Sequence, residues 1–123
     1  MTWCENMEIA VVLHDIRSLH NVGSILRTAD AAGIRKIYLC GITPVPVDRF
    51  GKIRPRLAKV SLGAEKTVPW EPVKSSEEIK LLKKLKREGY KILAIEQSKK
   101  SIPYYRLKTK SSRLKAVLKW ETR

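Results

Sequence analysis

The sequence predicts an α/β domain with a largely parallel sheet and flanking helices, and three observations predict it. Short apolar runs at 9–13, 36–40, 90–95 and 114–118 have the length and composition of strands. Helical stretches alternate with them, their apolar residues spaced three and four apart. Glycines 33, 41 and 89 stand at the junctions, where a chain turns most easily. Strands alternating with helices read as βαβ units, hence a parallel sheet of four or five strands. A chain of 123 residues is enough for one such domain.

Residues 9–13 are continuously apolar, as expected of a strand buried on both faces. His14 and Asp15 follow at its C-terminal end, where open α/β sheets place their ligand crevice. Asp15, Arg17 and His20 therefore border a candidate site. Neither His14 nor His20 has a carboxylate or nucleophile partner evident in the sequence, so both read as strand-end and turn residues. Asn21 is the expected N-cap of the first helix, and Gly33 its left-handed stop. Val22, Ile25, Leu26, Ala29 and Ala32 form the apolar face, and Arg27 points away from it.

The second strand, 36–40, ends at Gly41. Residues 42–56 hold three prolines, one glycine and four basic side chains with no period, which predicts a loop. Loops of that length in a compact domain usually serve a function, and this basic one is the candidate ligand-contacting loop. Residues 57–65 predict a short helix with Gly63 near its end, and 67–70 a short strand with Trp70 as a packing residue. Ser75 and Glu78 read as a capping box opening a helix over 76–88. Its buried stripe is Ile79, Leu81, Leu82 and Leu85. After the strand at 90–95, Tyr104 and Tyr105 are expected to anchor a loop on the core, and 114–118 is the last strand.

Charge separates the two halves of the chain. The formal net charge is +14, from 26 basic and 12 acidic residues. Residues 1–50 sum to zero, so 51–123 carry the whole excess, which predicts attraction to a polyanion. Much of the lysine in 80–91 reads as the solvated face of a helix. Clusters in predicted loops are the candidate contacts to a polyanion backbone, RNA in the resemblance given next: Lys52, Arg54, Arg56 and Lys59, then Lys99 and Lys100, then Arg106, Lys108 and Lys110, with Arg17 beside the crevice. Cys4 and Cys40 lie far apart without metal-ligand spacing, so no metal is expected, and Cys40 reads as a buried thiol. The N-terminal stretch has neither a basic leader nor a membrane-length apolar run, consistent with a reducing cytoplasmic setting.

Asn21-x-Gly23-x-x-x-Arg27-Thr28-Ala29 resembles the first signature motif of the SpoU family of RNA methyltransferases, in the SPOUT superfamily. Leu57-Ala58-Lys59-Val60-Ser61-Leu62-Gly63-Ala64-Glu65 is similar to the family's next segment, and the likeness runs from about 9 to about 118. The resemblance implies a Rossmann-like SPOUT fold and a homodimer. It also implies transfer of a methyl group from S-adenosylmethionine to a ribose 2′-hydroxyl of tRNA or rRNA. Arg27 matches the arginine assigned to activating that hydroxyl. Because a guanidinium keeps its proton, its expected part is to hold an adjacent phosphate or polarise the hydroxyl. Asn21 is expected to order the turn and to hydrogen-bond the ribose or Arg27. The loop after 90–95 edges the donor pocket in the family, which makes Ile95 and Glu96 the expected cofactor contacts.

The family's second motif, Gly-x-Glu, and third, Ser-Leu-Asn, follow the strand that here reads 114–118. This chain continues as Lys119-Trp120-Glu121-Thr122-Arg123. The expectation is thus a single domain over 1–123, incomplete at its C-terminus and lacking the knotted segment and most of the donor pocket. Two alternatives accompany the enzyme reading: a catalytically inert basic RNA-binding module, and an unstable truncated product.

Overall fold

The computed structural model describes residues 7–95, 99–103, 106 and 114–121. The described chain runs β1 (Met7–His14), α1 (Leu19–Ala32), β2 (Lys36–Cys40), α2 (Pro55–Ser61), α3 (Ala64–Thr67), β3 (Trp70–Val73), α4 (Glu78–Arg87), β4 (Lys91–Ile95) and β5 (Leu114–Glu121). The five strands form one sheet in the order β3-β2-β1-β5-β4. Every pairing is parallel. The α/β expectation holds, and β1 sits at the centre because its residues 10–13 are buried.

Alternation along β1 sends side chains to two cores. Val11 and Leu13 pack with Val22, Leu26 and Ala29 of α1 and Leu57 of α2. Ala10 and Val12 pack with Cys40, Leu85 of α4 and Tyr90. Cys40 lies fully buried, as its strand-end position predicted. Trp70 packs on the α1 core and donates its indole N–H to the Glu65 carbonyl at 3.1 Å, confirming a packing role.

Local signals erred in three places. Helix α1 begins before Asn21: Ser18 is the N-cap, and its hydroxyl accepts from the Asn21 backbone N–H at 3.2 Å. Asn21 thus lies inside the first turn, while Gly33 does close the helix at φ 72°. The segment 57–65 is broken, since Leu62 (φ 53°) and Gly63 (φ 89°) both adopt the left-handed conformation and separate α2 from α3. The third strand consequently starts at Trp70 rather than ending there. Residues Ser75–Glu77 form a single 3₁₀ turn, with no side-chain cap on α4. Glu78 is no cap because it is buried and paired elsewhere. Ile79, expected in the buried stripe, is 66% exposed, whereas Leu85 is buried as predicted. Cys4, Tyr104, Tyr105, Lys108 and Lys110 lie outside the described residues.

Candidate functional site

The C-terminal ends of β1 and β2 are stitched together before α1 begins. Asp15 takes a left-handed φ of 51°, and its Oδ1 accepts the Ile42 N–H at 3.0 Å. Opposite it, Gly41 has φ 65°, and a Cβ there would lie 2.0 Å from Asp15 Oδ1, so a larger residue would be strained and would displace that carboxylate. Buried Thr43 accepts the Ile16 N–H at 3.1 Å. Its own hydroxyl lies 2.8 Å from the Cys40 carbonyl and 3.1 Å from that of Leu13. These bonds fix the short segment that leads into α1.

Helix α1 then presents the motif residues. Asn21 and Arg27 are both exposed, and among the described residues neither side chain has a hydrogen bond or ion pair. Asn21 does not bond Arg27: six residues along a helix separate them by about 9 Å and a third of a turn. The motif glycine has a packing reason. A Cβ on buried Gly23 would sit 3.2 Å from both the Leu57 carbonyl oxygen and Val60 Cβ, so glycine lets α2 lie close against α1. That contact carries the exposed Arg56 and Lys59 on α2 to the α1 side of the sheet.

The loop before α2 is folded rather than irregular. Asp48 Oδ1 accepts the N–H groups of Phe50 at 2.8 Å and Lys52 at 3.0 Å. A bridge joins Val47 to Ile53. Arg54 contributes to this internally, its Nε lying 3.1 Å from the Val45 carbonyl and 3.3 Å from that of Val47. At the tip, Phe50 is 73% exposed with the Arg49 guanidinium 4.9 Å from its ring centre. Sequence reasoning passed over this aromatic, although a lone phenylalanine amid basic loop residues was the available signal. Lys52 and Arg17 are exposed, as are Lys99 and Lys100 in the turn after β4.

An apolar groove of about 480 Å³ separates α1 from the β1–β4 side of the sheet. Ile9, Val11 and Leu13 form its floor, Ser24, Ile25 and Thr28 one wall, and Ile95 its far end. Of the two expected cofactor contacts, Ile95 lines this groove and Glu96 lies outside the described residues. On the opposite face, His14 Nδ1 lies 2.6 Å from Glu78 Oε2 and His14 Nε2 lies 3.4 Å from Asp15 Oδ2. Glu78 Oε1 is buried with no hydrogen-bond partner among the described residues. The expectation that His14 lacks a carboxylate partner is corrected here. The nearer partner, Glu78, is 64 residues away and beyond any local spacing, while Asp15 is the next residue in the chain.

The comparisons with known proteins fall on this same architecture. The model of the SpoU rRNA Methylase family matches residues 8–118. The chain belongs to the SpoU rRNA methylase family. Among relatives of this family, a 23S rRNA (guanosine-2′-O-)-methyltransferase, RlmB of Neisseria meningitidis serogroup B, is 31% identical over 97 residues. That match covers 79% of this chain and 36% of the relative. An rRNA methyltransferase from Sinorhizobium meliloti superposes with a TM-score of 0.70 at 26% identity, covering 93% of this chain and 40% of that one. An AdoMet-bound structure of an rRNA methyltransferase from the same organism gives 0.69 at 27% identity, covering 90% and 38%. The chain thus spans about a third of the length of the curated SpoU relatives it matches. No helix among the described residues is long and apolar enough to cross a membrane.

Proposed function

We propose that this chain is a methyltransferase domain that transfers a methyl group from S-adenosylmethionine to a ribose 2′-hydroxyl of tRNA or rRNA. The observation that carries this reading is Arg27: a motif arginine held on a rigid helix, exposed, and without an ionic partner among the described residues. Exposed on α1 next to Thr28, which lines the groove, it is available to a sugar-phosphate unit. The family match supports the enzyme reading over a binding-only one.

The groove fits the less polar parts of the donor. Its floor and Ile95 offer apolar contact to an adenine ring, and Ser24 and Thr28 offer hydroxyls. When bound, the donor supplies an electrophilic methyl. The chain's own residues position the acceptor. Arg27 holds the phosphate next to the reacting ribose in a bidentate grip and polarises the 2′-hydroxyl. That hydroxyl's proton passes to the phosphate or to water, since the guanidinium keeps its own. Asn21, exposed in the first turn of α1, hydrogen-bonds the ribose. Arg17, Lys52, Arg56, Lys59, Lys99 and Lys100 contact RNA backbone. Arg54 adds charge while its Nε braces the loop. The domain works in the cytoplasm as a homodimer.

The test is direct. The full chain is incubated with methyl-labelled S-adenosylmethionine and unmodified tRNA or rRNA, and the RNA is digested to nucleosides. The expected product is a 2′-O-methylnucleoside that disappears with Arg27→Ala. Label found only on bases, or none at all, overturns the reading.

A further inference from the structure

Helix α4 poses a question that the methyl-transfer site does not answer. In ten residues it carries Lys80, Lys83, Lys84, Lys86 and Arg87, all exposed. Among the described residues none of the five makes an ion pair. The helix's own acid, Glu78, is buried against His14, and the exposed acids Glu77 and Glu88 stand only at its two ends. Lys80 with Lys84, and Lys83 with Arg87, stand four apart, the spacing at which like charges repel and weaken a helix. A helix selected only to be wet would intersperse acids at those positions.

The shape around the ridge is equally specific. Lys80, Lys83, Lys86 and Arg87 line one groove of about 610 Å³. On the other flank Lys80, Lys84 and Arg87, with Glu71 and Glu77 among them, line a second groove of about 370 Å³ that reaches Lys36. Lys36 is already engaged: a hydrogen bond to Glu71 raises its ammonium above the usual lysine range, and it rests 5.1 Å over the Tyr38 ring. The free cations are those of the helix. From Lys80 to Arg87 they extend about 10 Å, the reach of about three phosphates along one nucleic-acid strand.

We propose that the exposed ridge of α4 is a second RNA-backbone contact, on the sheet face opposite Arg27, taking phosphates remote from the methylated ribose. The proposal rests on the RNA-methyltransferase reading above. A membrane surface does not suit the ridge, because the helix's apolar side is spent on the core through Leu81, Leu82 and Leu85. A protein partner suits it less well, since the centres of protein interfaces are depleted of lysine.

The experiment compares the full chain with K80E/K83E/R87E and with the charge-conserving K80R/K83R/R87K, measuring affinity for a structured RNA across a salt series. The reversed variant should bind about tenfold more weakly or worse, with a log-log salt slope shallower by about two. The conserving variant should bind like the unmodified chain. The reversed positions are exposed and mutually repelling, so a thermal melt should show the variant folded. A K52E/R56E variant separates this proposal from the reading beneath it. If that variant loses RNA binding while the α4 variant keeps both affinity and slope, the ridge is overturned and the enzyme reading stands. If the unmodified chain binds no RNA and methylates none, both fall. Binding of polyglutamate as tight as RNA, and lost with the same reversal, would reassign the ridge to an acidic protein.

Discussion

Helices α1 and α4 cover opposite faces of one sheet, and they use positive charge in different ways. Helix α1 carries one cation, Arg27, over a backbone held in place from several sides. Gly23 admits α2, Ser18 caps the first turn, and Thr43 pins the approach. Helix α4 carries five cations on a helix without a side-chain cap, fastened by leucines and by one buried carboxylate. A lone charge on a tightly positioned frame suits recognition of one group in one geometry, where a small displacement is expensive. A row of charges on a simpler frame suits attraction, which tolerates displacement and fades with salt. The division of labour is therefore visible in how much structure stands behind each cation.

The largest expected effect follows from that contrast. Arg27→Lys keeps the charge and loses the planar fork, so turnover should fall about 10²–10³-fold. RNA affinity should change only about threefold, because charge dominates it. Single-turnover methyl transfer beside equilibrium RNA binding separates the two quantities. Equal losses in both would erase the distinction drawn between α1 and α4.

The frame behind each helix can be broken separately. Gly23→Val places branched carbon where a single Cβ already meets Leu57 and Val60 at 3.2 Å, and should cost about 1–3 kcal/mol in urea unfolding. On the other face, His14→Leu strips Glu78 of its hydrogen-bond partner at 2.6 Å. An unsatisfied buried group should cost about 1–3 kcal/mol. Replacing both residues with leucine should recover most of that loss. If the double variant is no more stable than the single, the pair is not what fastens α4.

The sheet was legible because its signals are local. The second strand, 36–40, agrees residue for residue, and Gly33 closes α1 where the periodicity stops. Arg27's exposure was legible too, since helical phase alone sets it. What failed was one choice between nearby polar residues, and then whatever depended on distant neighbours. Asn21 looked like a cap because capping residues are recognised by type, yet Ser18 three positions earlier fills the role. Glu78 looked like the acid of a capping box, and instead turns inward to a histidine from the central strand. Arg54 was grouped with its basic neighbours, but its Nε holds loop carbonyls that only the folded 42–56 segment brings near. Local chemistry names what a side chain is able to do, and topology decides which of those options it takes.

The smallest expected effect concerns Phe50, and it refines the comparison by adding a contact that is neither fork nor ridge. At 73% exposure the ring contributes little to the core, and the Asp48 turn and the Val47–Ile53 bridge hold the tip without it. Phe50→Ala should therefore leave unfolding unchanged. An aromatic beside Arg49 and Lys52 can stack on an unpaired base, a contact worth about 1–3 kcal/mol per base. Affinity for a single-stranded or looped RNA should drop about fivefold or more, while affinity for a continuous duplex, whose bases are already stacked, should hold. Stacking does not release counterions, so the salt slope should not move, in contrast to reversal of charge on α4. Equal losses for loop and duplex would instead show that Phe50 only sets the shape of the loop.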